Sequence, residues 1–220
     1  MAFEAGINGR PTIVQNVETL AQIAVIARHG HDTGTRLVTV SGAVRAPGVY
    51  ELATTTPLRS IVAMAEGVDV RATLAGGYFG SWHGADGGDA PVTGAGVVAV
   101  LGRSSCGVAE VARVARWMAD QGAGQCGPCI NGLDSLAGVL ERLAGRRFQS
   151  GDGERLTRWL QMVRGRGACK HPDGVAAMIA SATRVMHAEF NAHARGEPCA
   201  RCAAPAVLAT PTVTPEAVAA

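Results

Sequence analysis

The sequence predicts an α+β protein: a small β-grasp domain followed by a four-helix bundle. Three observations carry this. Strand-like apolar runs occupy the segment from about residue 35 to 103, on either side of one short helix candidate. From Gly107 onward apolar residues recur at helical spacing almost to the end. The links between those periodic segments are short, as antiparallel helices packed side by side require.

Residues 1–34 read as a leading loop and helix. Gly6, Gly9 and Pro11 make a loop of the first twelve residues. Thr12 to Arg28 is a helix candidate, with Val14, Val17, Leu20, Ile23 and Ile26 on one side and Gly30 past its end. The β-grasp domain, 35–103, opens with residues 37–42 as a strand and 48–52 as its hairpin partner, turned by Arg45-Ala46-Pro47-Gly48. Thr56 can cap a helix with Pro57 in its first turn and Leu58, Ile61, Val62 and Met64 along it. Residues 75–82 form a glycine-rich aromatic loop or short strand, 85–96 a polar loop, and Val97 to Leu101 a buried strand.

The bundle, 104–196, reads as four helices. The first, about 108–120, turns Val111, Val114 and Met118 inward. The second, about 129–144, carries a stripe of Ile130, Leu133, Leu136, Val139, Leu140 and Leu143. The third, about 154–163, has Leu156, Trp159, Leu160 and Val163. The fourth, about 175–193, has Met178, Ile179, Val185, Met186 and Phe190. Residues 197–220 hold a second Cys-x-x-Cys and a Pro-, Thr- and Ala-rich tail expected to be disordered.

With 220 residues the chain can bury a substantial core. A net charge of +2 argues against nucleic acid or acidic lipid as a main partner. No apolar run approaches the roughly 20 residues of a membrane helix, and the N-terminus shows no secretion signal. Six cysteines, four of them in Cys-x-x-Cys pairs, point to metal or redox chemistry in a reducing compartment rather than to a disulfide framework.

The chemistry centres on GQCGPCINGLD. Cys126 and Cys129 flank Gly127 and Pro128 at the head of the second bundle helix, and Cys169 follows in GRGACKHPDG. Thiolates close in sequence, plus one returned by the fold, grip a soft metal or an iron–sulfur cluster. At a helix N-terminus, free N–H groups point at sulfur and favour an anionic centre. A redox dithiol uses the same physics, so the pair alone leaves that alternative open.

Several segments together resemble the C-terminal part of the NADH-binding flavoprotein subunit of respiratory complex I. They are residues 6–20 (GINGRPTIVQNVETL), Val38-Thr39-Val40-Ser41-Gly42 with Pro47-Gly48-Val49-Tyr50-Glu51, and Gly124-Gln125-Cys126-Gly127-Pro128-Cys129 with Cys169. The second pair resembles the family's ubiquitin-like SLBB domain and the third its iron–sulfur motif, here in the form AGQCGPC of a divergent bacterial branch. The resemblance covers about residues 5–195.

It implies a [4Fe-4S] cluster held by Cys126, Cys129 and Cys169. The family's first motif cysteine falls on Ala123, which cannot ligate iron. Cys106 is the expected replacement; three thiolates alone suit a [3Fe-4S] cluster or a [4Fe-4S] cluster with an open iron. The family's flavin domain lies before the first motif, so FMN and NADH are expected only through a partner chain. No catalytic residue is assigned. The expected function is electron transfer within an NADH dehydrogenase-like oxidoreductase, cytoplasmic or peripheral to a membrane complex, with a flavin/NADH-binding subunit and other redox subunits as partners.

The alternative is a non-enzymatic β-grasp binding module with a structural zinc site or vestigial, buried thiols. Cys199 and Cys202, with His187 and His193 upstream, offer ligands for zinc. His171 reads as a hydrogen-bonded loop histidine rather than an iron ligand. Gly76, Gly77 and Gly80 with Tyr78 and Trp82 read as a tight turn against the bundle in preference to a ligand surface, and Arg146, Arg147, Arg164 and Arg166 as solvated helix ends.

Overall fold

The computed structural model describes residues 3–85 and 87–211. The first helix, α1 (Val17–His29), starts at Asn16, whose side chain accepts the Thr19 amide at 2.8 Å, and stops at Gly30 with φ 80. Thr12, expected inside this helix, instead accepts the Ile7 amide at 2.9 Å and shapes the preceding loop. The apolar stripe of α1 is real but faces outward: Val17 is 81% exposed, Leu20 50% and Ile23 52%.

Five strands follow: β1 (Thr35–Gly42), β2 (Gly48–Ala53), β3 (Val70–Ala75), β4 (Ser81–Gly84) and β5 (Val97–Gly102), in the order β2-β1-β5-β3-β4. β1 and β2 form the expected hairpin, β1 runs parallel to β5, and β3 is antiparallel to both β5 and β4. The parallel pair requires a crossover, and α2 (Leu58–Met64) lies in it. On the α2 side Val38, Val40, Val98 and Val100 pack with Leu58, Ile61 and Val62. On the other side Ala72, Leu74, Trp82, Ala99 and Leu101 join the helical core. β5 is thus covered on both faces, which is why its sequence is a continuous apolar run. Gly42 closes β1 at φ +94, where an added Cβ would lie 2.1 Å from the Val100 carbonyl oxygen.

The second half holds α3 (Gly107–Asp120), a π-helical turn (Pro128–Leu133) leading into α4 (Asp134–Ala144), α5 (Asp152–Val163), α6 (His171–Val185) and α7 (His187–Ala194). The expected fourth helix is therefore two, broken at Met186, where φ is −106 and ψ 29. Met186 packs so closely on Gly107 that a Cβ there would meet its sulfur at 2.2 Å. At the start of α5 the fully buried Asp152 accepts from Arg142 at 2.6 and 2.9 Å, from Arg155 at 3.0 Å and from the Gln149 amide at 3.0 Å.

Composition alone led us to expect disorder from Ala203, but residues 203–211 dock along α3. Leu208 is buried, and the Glu110 carboxylate accepts the Val207 and Leu208 amides at 3.0 Å each. Trp117 donates to the Pro211 carbonyl at 3.0 Å, and Tyr78 donates to that of Ala209. A buried carboxylate needs donors, and the tail supplies them. Residues 212–220 lie outside the described residues. No helix among the described residues is long and apolar enough to cross a membrane.

Candidate metal centre

α3 ends at Asp120, and the loop that follows delivers Cys126 to the head of the π-helical turn. The Cys126 carbonyl accepts the amides of Cys129 and Ile130 at 3.0 Å each, so the Cys-x-x-Cys pair forms a first helical turn with Pro128 inside it. Gly122, just past α3, neighbours this turn: a Cβ there would be in ordinary contact with that of Cys129, at 3.5 Å. Cys169 stands on the loop before α6, a loop tied down by the Gly165 amide bonding Asp173 at 2.6 Å.

The thiols of the two loops influence one another. Hydrogen bonds from the backbone of Ala168 and of Cys129, and from the Cys129 side chain, hold the Cys126 thiol below its usual range. Burial pushes the Cys129 thiol up, helped by the hydrogen bond to Cys126 and by the charges of Cys126 and Cys169. Three thiols that feel one another, with amides aimed at sulfur, fit a cluster that carries negative charge. Cys129 is buried and Cys169 exposed, so the site has a dry side and a solvent edge.

His171 is hydrogen-bonded, as expected: its Nε2 lies 2.9 Å from the Met118 carbonyl oxygen and its ring meets Phe79 edge-on at 5.5 Å. It straps the start of α6 to the end of α3. Gly76 and Gly77, at φ 92 and 72, form the tight turn expected, and Phe79 from that turn presses on Gly174 of α6.

Cys106 does not join the other three. It caps the opposite end of α3, accepting the Ala109 amide at 3.4 Å. A helix of 14 residues sets it about 20 Å from the Cys126 loop. There it meets a second group. Its sulfur lies 3.5 Å from His193 Nε2 and 3.5 Å from the Cys202 sulfur, and Cys202 lies 3.8 Å from His193. Cys199 completes the set, with all four ligand atoms within 4.8 Å of one another. Against the burial that raises it, hydrogen bonds with His193, Arg201 and Cys202 bring the Cys199 thiol below its usual range. Cys202 is pushed up to about 12, first by burial and then by hydrogen bonds with Cys106 and Cys199. His187, the other histidine considered with this pair, turns to Asn191 at 3.0 Å instead.

Sequence reasoning found the Cys199–Cys202 pair and His193 but not their meeting with Cys106. The one available signal was Cys106 at a helix start, an N-cap position that leaves its sulfur pointing along the helix end.

Residues 100–193 match the model of the NADH-ubiquinone oxidoreductase-F iron-sulfur binding region. An F-type subunit of the NADH-quinone oxidoreductase of Rhizobium meliloti is 30% identical over 89% of this chain and 52% of its own length. The corresponding F-type subunit of Streptomyces coelicolor is 27% identical over 89% of this chain and 49% of its own. The chain thus spans about half the length of the curated relatives it matches. A crystal structure of an NAD+-reducing [NiFe]-hydrogenase in the air-oxidized state superposes with a TM-score of 0.78 at 27% identity, over 87% of this chain and 37% of that one. The resemblance drawn from the motifs is borne out, and so is the [4Fe-4S] cofactor it implied. Cys126, Cys129 and Cys169 lie inside the matched region; Cys199 and Cys202 lie beyond it.

Proposed function

We propose that this chain, which carries the iron–sulfur-binding region of the F-type subunits of NADH-quinone oxidoreductases, is the electron-transfer module of an NADH dehydrogenase-like oxidoreductase. The observation that carries the reading is the match of residues 100–193 to the iron-sulfur binding region, inside which Cys126, Cys129 and Cys169 all fall. Cys126, Cys129 and Cys169 would hold the cluster, with a non-cysteine ligand or an open iron at the fourth position. When bound, the cluster supplies one-electron oxidation and reduction. The chain's own residues set the terms. Buried Cys129 keeps water from one side, the amides of Ala168 and Cys129 stabilise charge on sulfur, and exposed Cys169 marks the edge nearest a donor or acceptor.

The strand order β2-β1-β5-β3-β4 with a crossover helix supports reading 35–103 as a ubiquitin-like SLBB domain. Helices α3 to α7 fall within the bundle proposed for 104–196, the proposed fourth helix being α6 and α7, with 1–34 leading in and 197–220 behind. FMN and NADH would be supplied by a partner subunit, and the exposed stripe of α1 offers an apolar face for it. We place the assembly in the cytoplasm, peripheral to a membrane complex. The test is anaerobic reconstitution with iron and sulfide. Uptake of both, with visible charge-transfer absorbance, supports the reading; a colourless protein that takes up neither refutes it.

A further inference from the structure

We propose that Cys106, His193, Cys199 and Cys202 form a second, separate metal site that binds one zinc-class divalent ion and staples the C-terminal segment onto α3. A tetrahedral zinc with bonds of about 2.3 Å to sulfur and about 2.05 Å to nitrogen separates its ligands by about 3.8 Å for two sulfurs and about 3.5 Å for sulfur and nitrogen. The structure has 3.5 Å between the sulfurs of Cys106 and Cys202, and 3.5 and 3.8 Å from those sulfurs to His193 Nε2. These three distances match edges of a tetrahedron around one ion, and Cys199 keeps all four ligand atoms within 4.8 Å of one another. A cubane cluster places each thiolate on a different iron and holds the sulfurs farther apart than this group does. A disulfide needs sulfurs at about 2.05 Å, and these cysteines are free.

The surroundings are built for a cation. His193 lies 3.2 Å from the Leu143 carbonyl oxygen through Nδ1, which fixes the tautomer with its lone pair on Nε2, facing the three sulfurs. Cys106 and His193 are 2% and 1% exposed. Three thiolates and one divalent ion leave a net negative charge. The Ala109 amide at the positive end of α3 and the Arg201 guanidinium, bonded to Cys199, both face it. Arg201 and Arg71 are in turn held by Glu189, at 3.0 and 2.7 Å. Four protein ligands leave no open position, which is the arrangement of a structural site rather than a catalytic one. The ligands join the start of α3, the end of α7 and the turn at Ala200–Ala203, just ahead of the tail that docks on Glu110.

The test is metal analysis of the whole chain purified without oxygen, together with His193→Ala, Cys199→Ser and Cys126→Ser. We expect one zinc per chain in addition to the iron. His193→Ala and Cys199→Ser should lose zinc and keep iron, sulfide and visible absorbance; Cys126→Ser should do the reverse. Should the variants fail to fold, chelator-stripped wild type titrated with Co²⁺ should give the intense bands of tetrahedral cobalt–thiolate. Wild type that neither contains nor takes up a zinc-class ion overturns the proposal. So does a Cys199→Ser protein that folds but has lost iron and sulfide, because the group would then be the cluster site. Absence of iron with zinc retained counts against the electron-transfer reading alone.

Discussion

His171 Nε2 lies 2.9 Å from the Met118 carbonyl oxygen, which ties the loop carrying Cys169 to the end of α3, next to the turn that opens the cysteine helix. Neither loop alone presents three thiols. Because Cys169 is exposed, its contribution to folding is small. Cys169→Ser should leave the thermal stability of the metal-free protein within about 0.5 kcal/mol of wild type. It should nevertheless cut iron binding sharply, read by iron content after reconstitution. A variant that binds iron as wild type does would remove Cys169 from the site.

In the metal-free protein the two thiols of the pair should differ in reactivity. Hydrogen bonds lower the Cys126 thiol and burial raises that of Cys129, so Cys126 becomes thiolate at the lower pH. Alkylation with iodoacetamide, followed peptide by peptide across a pH series, should label Cys126 first. Cys202, pushed up to about 12, should resist labelling at neutral pH.

Asp152 gives the chain an acid-labile joint. Its hydrogen bonds with Arg142, the Gln149 amide and Arg155 hold the carboxyl down to about 2 from 3.8. A lowered folded-state value means that the stabilisation is complete above pH 3.8 and is lost as pH falls toward 2. Asp152→Asn should cost about 2 kcal/mol at neutral pH and flatten the stability profile in that window, measured by urea denaturation. A variant with unchanged stability at neutral pH would contradict this role.

Gly174 receives the ring of Phe79, and an added Cβ would lie 2.3 Å from the ring and 2.9 Å from the Phe79 Cβ. Gly174→Ala must therefore move the turn and not just a side-chain tip. It should cost about 1–3 kcal/mol and disturb the neighbouring His171 strap, read as a lower urea midpoint.

Much of this was legible in the sequence where one residue pattern answers to one element. The hairpin, the α2 helix, the buried β5 run and the stripes of α3 and α4 follow from period and turn chemistry. The Cys126–Cys129–Cys169 grouping is proposed from helix context and from resemblance. What escaped depends on direction in space. Val17, Leu20 and Ile23 have the period of a buried face, but period does not say whether a partner lies within the same chain. The break at Met186 has no Gly or Pro to announce it, and beyond it α7 carries His193 to Cys106. Cys106, expected beside Cys126, Cys129 and Cys169, caps the far end of α3 and meets His193 and Cys202 there, a long-range contact that no sequence period announces. For residues 203–211 composition misleads because Glu110, a buried acceptor far away in sequence, takes the Val207 and Leu208 amides.

The most direct measurement is an EPR spectrum of the anaerobically purified, dithionite-reduced protein beside that of Cys126→Ser, each with its iron and acid-labile sulfide content. The account predicts an iron–sulfur signal in the wild type, with matching iron and sulfide, and its loss in the variant. An iron–sulfur signal of equal strength in both, or none in a wild type that resists reconstitution, would contradict it.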